Sequence, residues 1–262
     1  MKNIYLIILL GMLLVLPTSC LRDLLCVKGD GNIETVIRTP EMFHQLENST
    51  SFDVIYKKAD TTGIMIRTDQ NLIDYIVTDT YNNSLEIKIR PGNICLDYSE
   101  RPVIIVTSPG LNKAINAGSG SFFADEMSGE TVTIKMSGSG DISVDHLTSS
   151  HDLTVLLSGS GNINLDQTVC LDSDVFLSGS GGITIKGECD NSHIKITGSG
   201  NIYADNYITN SGSVIISGSG NAFTYIENYL NAVISGCGNI YVRGDPVIDE
   251  TISGSGRIIK YK

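Results

Sequence analysis

Along the second half of the chain, apolar and polar residues alternate singly on either side of a recurring tripeptide. Gly-Ser-Gly, once Gly-Cys-Gly, begins at Gly118, Gly138, Gly159, Gly179, Gly198, Gly218, Gly236 and Gly254, at intervals of 20, 21, 20, 19, 20, 18 and 18 residues. Counting from the first Gly, position −2 from the second triplet on reads Met136, Leu157, Leu177, Ile196, Ile216, Ile234 and Ile252. Position +4 reads Ile142, Ile163, Ile183, Ile202, Ala222, Ile240 and Ile258. Positions −4 and +6 are mostly apolar too, so a period of two runs on both sides of a tight corner: strand, corner, strand. Glycine at the corner answers either a positive φ or the close approach of the next coil.

A two-strand unit this short cannot bury its apolar face alone, whereas stacked copies bury it against one another. The pattern therefore predicts an all-β, single-domain parallel β-helix (a β-solenoid) with coils of about 18–21 residues, right-handed coils being the better match. Propeller blades need about twice this repeat length. The last coil carries Glu250 and Lys260 in inward slots, as a polar end cap should. Residues 27–117 lack the triplet but alternate in Phe52–Tyr56, Ile64–Ile66, Leu85–Ile89 and Val103–Val106, with one short helical turn expected at Asn71–Ile76. No Pro/Gly/Ser-rich linker divides the halves, so 27–262 reads as one domain: irregular first coils over 27–117 and repeat coils over 118–262.

Before it stands a processing segment, residues 1–19, with Lys2 as the positive n-region and Ile4–Leu16 as the apolar h-region. Pro17-Thr18-Ser19-Cys20 resembles a bacterial lipobox, which makes Cys20 the lipidation site and 20–26 a tether. No other apolar run approaches the length of a membrane span. The expected address is the cell envelope, as an outer-membrane lipoprotein held to the membrane only through its lipid.

Composition narrows function by exclusion. The 262 residues carry 18 basic and 29 acidic side chains, a formal charge of −11, which leaves no basic stripe for nucleic acid. Histidines 44, 146, 151 and 193 fall in no metal-ligand spacing, and no cofactor motif appears. Beyond Cys20 there remain Cys26, Cys95, Cys170, Cys189 and Cys237, an odd number that forbids complete pairing. Cys170 and Cys189 fall in neighbouring coils at nearly equivalent places near turns, which allows a disulfide between them.

Gly31-Asn32-Ile33, SFDVIYKKAD, DQNLIDYI, SLEIKIR and the recurrent SGSGNI together resemble the head GIN domain, a family named for supposed auto-transporter adhesion. The resemblance covers about 27–262 and implies an exported β-helical protein; it implies no catalytic residues.

Outward slots form ladders. Position +3 reads Asp141, Asn162, Gly182, Asn201, Asn221, Asn239 and Arg257, a structural amide ladder by its place beside a turn. Position +5 places Tyr203, Phe223 and Tyr241 in one row, flanked at +7 by Asp205, Tyr225 and Arg243. These six are the candidate ligand-binding residues, an aromatic shelf with charged neighbours suited to sugar or to a surface protein. At −3 the apolar Leu156, Phe176, Ile215 and Val233 point outward, which favours cover by another chain segment or by a second copy of the chain. The rival class is a polysaccharide lyase or hydrolase, for which Asp145 and Asp166 share a slot in adjacent coils. Lys186 follows them in the next coil, and no long loops stand ready to wall a cleft. No catalytic residue is assigned, and the reading is an adhesin rather than an enzyme, with a structural scaffold as the third class.

Overall fold

The computed structural model of the chain describes residues 26–92 and 95–261. Its regular structure is nearly all strand, stacked as parallel coils into a β-solenoid of about 7 turns. Six long strands carry the repeats: Phe122–Met136, Ile142–Leu157, Ile163–Leu177, Ile183–Ile196, Ile202–Ile216 and Ala222–Ile234. Each pairs in parallel with the next, and the apolar slots meet rung by rung, as in Ile142↔Ile163↔Ile183↔Ile202. These slots are sealed: Ile134, Val155, Val175, Val214 and their neighbours are completely buried. Each buried aliphatic side chain contributes roughly 1.5–3 kcal/mol, so the stack rather than any single coil supplies the stability.

The corners explain the triplets. A Cβ on Gly159 would stand 1.9 Å from the carbonyl oxygen of Gly138, one coil below, and one on Gly161 would stand 1.7 Å from that of Gly140. Close approach of successive coils, not positive φ, is what excludes a side chain there. Positive φ occurs instead at a second corner eight residues after the triplet start, at Gln167 (45°), Gly187 (130°) and Gly244 (90°). There the number of residues per coil varies, and the ladder slips between Leu165 and Thr168 and between Ala204 and Ile208.

The segment before the first triplet mixes two kinds of pairing. Gln45–Asn48 and Asp53–Lys58 continue the parallel rungs, pairing with Lys113–Asn116 and Phe122–Ala124. Corner stacking reaches back as well, since a Cβ on Gly118 would strike the Thr50 carbonyl at 1.8 Å. Other strands run antiparallel: Ile33–Arg38 against Gly63–Asp69, and the hairpin Ile76–Tyr81 with Ser84–Ile89, whose turn residues Asn82 and Asn83 have φ of 48° and 59°. This segment is therefore more than a set of irregular coils. The helical turn is present as a 3-10 turn over Gln70–Tyr75, with Leu72 and Ile73 buried.

One disulfide joins Cys26 to Cys95 on two short paired strands. Cys170 and Cys189 are thiols with their sulfurs 3.2 Å apart, so the alternative disulfide is not formed. Nor do they sit near turns: both point inward and are buried, with Cys170 meeting the Tyr207 hydroxyl at 2.9 Å. Its hydrogen bond to Cys189, together with burial, pushes the Cys170 thiol up.

Candidate functional site

The outer surface over the last coils gathers the residues singled out by the repeat. Tyr203, Phe223 and Tyr241 are rung partners, and their rings stack: centroids 5.1 Å apart at 15° for the first pair, 4.5 Å at 6° for the second. Ring normals thus run along the solenoid axis. Both faces of Phe223 are covered by its neighbours, so the strip presents ring edges and hydroxyls to solvent rather than an open shelf of faces. Tyr203 is the most exposed of the three.

The flanking row is only partly as counted. Arg243 is the rung partner of Tyr225, and its guanidinium lies 5.2 Å from that ring's centroid, a cation–π contact. Asp205, however, falls in the slip of the ladder; the rung partner of Tyr225 is Ile208. Asp205 joins the cluster through its backbone carbonyl, which accepts from Arg243 Nη1 at 3.5 Å. Nearby, the buried Tyr261 hydroxyl is pushed up, chiefly by burial and then by the Asp205 charge.

The amide ladder at +3 is structural. Each side-chain oxygen accepts the backbone N–H of the next rung: Asp141 from Asn162 at 2.8 Å, Asn201 from Asn221 at 2.8 Å, Asn221 from Asn239 at 2.9 Å. The apolar −3 residues Leu156, Phe176, Ile215 and Val233 are half-buried by neighbouring rungs, so they do not form an exposed patch. Exposed apolar side chains cluster elsewhere, at Val169, Leu171 and Ile208.

The carboxylates of the enzyme alternative lie around an open depression with His146, Gln167 and Lys186. Lys186 Nζ is 2.6 Å from Asp166 Oδ1, so Asp166 is already ion-paired. Among the described residues, no cluster of three His, Cys, Asp or Glu side chains is arranged to hold a metal. Cys20 and the leader lie outside the described residues, and among those described no helix is long and apolar enough to cross a membrane.

A stacked-coil solenoid with a repeated outer surface defines the class: a β-helical repeat protein whose surface rows are set by its rungs. The family model described as "Putative auto-transporter adhesin, head GIN domain" matches residues 42–246, and the chain belongs to that family. A crystal structure described as a putative lipid binding protein from Parabacteroides distasonis is 28% identical, with a TM-score of 0.81 over 90% of this chain and 99% of that one. A putative adhesin from Parabacteroides merdae is 24% identical, with a TM-score of 0.83 over the same shares. Another from Bacteroides fragilis is 20% identical, with a TM-score of 0.69 over 90% of this chain and 100% of that one. The latter two support the fold. No curated protein matches the chain significantly.

Proposed function

We propose that this protein is an exported envelope adhesin, held to the outer membrane by lipid on Cys20, that attaches non-covalently to glycan or surface protein through the outside of its solenoid. The observation that carries the reading is the stacked strip Tyr203–Phe223–Tyr241 with Arg243 braced on Tyr225, an amphipathic contact row on the outer surface. Family membership supports adhesion, and Lys2, Ile4–Leu16 and Cys20 support export and lipidation. The inside is filled with apolar side chains along the whole stack, so a ligand is met on the outer face.

The test uses the full chain in detergent against an array of envelope and host polysaccharides and surface proteins, reading retained protein and released sugar in the same wells. Retention without release is expected, and Tyr203→Ala with Tyr241→Ala should abolish it for every ligand that the strip holds while leaving the fold intact. Released sugar would overturn the adhesin reading and turn attention to Asp145 and Asp166. Silence in both channels would favour a scaffold without a soluble ligand.

A further inference from the structure

A second feature of the outer surface owes nothing to the aromatic strip. Counted backward from each triplet, positions −7 and −5 both point outward, with position −6 pointing in between them. The structure registers these rows across five coils: Asp152↔Asp172↔Asn191↔Ser211↔Tyr229 on one side, Thr154↔Asp174↔His193↔Ser213↔Asn231 on the other. Between them run the inward residues Leu153, Ser173, Ser192, Gly212 and Leu230. An open trough of about 320 Å³ follows these rungs along the solenoid axis. Four rung steps of about 4.8 Å make it roughly 19 Å long.

Its end is closed by a ring. Tyr229 stands in the first row, but its hydroxyl donates to Asp249 Oδ2 at 3.4 Å, and Asp249 is the rung partner of Asn231 in the second row. That bond draws the tyrosine from the first row towards the second at this end of the trough. No ring stacks on Tyr229 from the trough side, where its rung partner is Ser211, and it is 44% exposed. Partway along, His193 is braced by the edge of the Phe176 ring, centroids 5.8 Å apart, and Asn191 Nδ2 donates to Asp172 Oδ1 at 3.0 Å. A polar group therefore recurs at each step on both walls, carboxylates accepting at the first rungs and donors as well as acceptors further along, at a spacing close to the advance of one sugar ring along an extended chain. The walls hold three carboxylates, Asp152, Asp172 and Asp174, against the single His193, which repels acidic polymers.

We propose that this trough is a binding site for a neutral or N-acetylated oligosaccharide lying along the solenoid axis, its terminal ring packed on Tyr229. This deepens the adhesin reading and rests on it, while placing the glycan on a different face from the Tyr203 strip.

The probes are hexasaccharides of β-1,4-glucose, β-1,4-N-acetylglucosamine and α-1,6-mannose, with a galacturonate hexamer as acidic control, titrated calorimetrically into the full chain in detergent. At least one neutral probe should bind and the acidic one should not. Tyr229→Ala, which removes the end wall, and Ser211→Trp, which fills the trough, should each weaken binding roughly tenfold or more, with melting checked for both. Tyr203→Ala with Tyr241→Ala should leave this binding unchanged. No neutral binding, or binding that survives both trough variants, overturns the proposal. If those bound probes are instead lost in the strip variant, the trough falls while the adhesin reading stands. If sugar is released from the polysaccharide array, both fall.

Discussion

The repeat coils after residue 118 and the segment before it are built to different rules. In the repeats, one inward apolar residue sits on another from coil to coil, and glycine corners let backbones stack without side chains between them. Stability there is distributed, each coil supported by its neighbours. The earlier segment has such periodic support only in part, through Gln45–Asn48 and Asp53–Lys58. It is held by specific devices: the Cys26–Cys95 disulfide, antiparallel pairs, and buried polar caps. Asn48 and Asn116, both fully buried, donate from Nδ2 to the carbonyls of Phe52 and Gly120, four residues on, in matching geometry. Buried Asp69 gathers the N–H groups of Gly31 and Ser99 at 2.8 and 2.9 Å, and the Ser99 hydroxyl as well. A repeated architecture can fix its fold by pattern, while the cap that starts the stack needs particular residues.

The largest effect expected from breaking this contrast lies in the earlier segment. Cys95→Ser releases a link of 69 residues in separation, and loss of that constraint should cost about 4 kcal/mol in denaturant unfolding, with a separate early transition for the N-terminal segment. A corner glycine comes next. Gly159→Ala forces a Cβ against the Gly138 carbonyl and should cost about 3 kcal/mol, whereas Gly110→Ala, with open space around it, should cost almost nothing. Melting both variants side by side checks the claim that close approach sets the triplet.

A pH titration separates the two regions further. Burial alone would raise the Asp69 carboxyl, but the hydrogen bonds from Ser99 and Gly31 outweigh it and hold the group below its ordinary value of 3.8. A carboxyl depressed on folding contributes stability that is complete above its unfolded value and is lost as pH falls through the lower folded one. Acid below about pH 4 should therefore loosen the Gly29–Gly31 and Ser99 contacts first, seen as early amide exchange there, and Asp69→Asn should remove that pH dependence. The smallest effect belongs to the strip. Phe223→Ala should cost about 1 kcal/mol of ring stacking beyond its lost area, leaving the coils below it unchanged by circular dichroism.

Much of the repeat region could be read in the sequence, because side-chain period two and triplet spacing are both linear signals. The Tyr203–Phe223–Tyr241 alignment followed from the same counting. What counting missed has physical causes. Period two is identical for parallel and antiparallel strands, so the N-terminal hairpin pairings were hidden. Forward offsets fail around and past the second corner, where coils differ in length; this hid the inward side of Cys170 and Cys189 and moved Asp205 out of the row of Tyr225. The trough rows at −7 and −5 were visible by backward counting, since the strand leading into each triplet keeps its register. Ring orientation in a ladder is a packing outcome that no offset encodes, and the Cys26–Cys95 bridge joins two strands outside the repeat.

On this reading, attachment occurs on the outer face of the repeat coils. Amide hydrogen exchange of the full chain, with and without a glycan that the array retains, tests it most directly. Protection of strands between Asp152 and Asn231, or of the Tyr203–Tyr241 rungs, is the predicted footprint, with residues 26–117 unchanged. Protection confined to residues 26–117, with the repeat coils exchanging as before, would contradict the account.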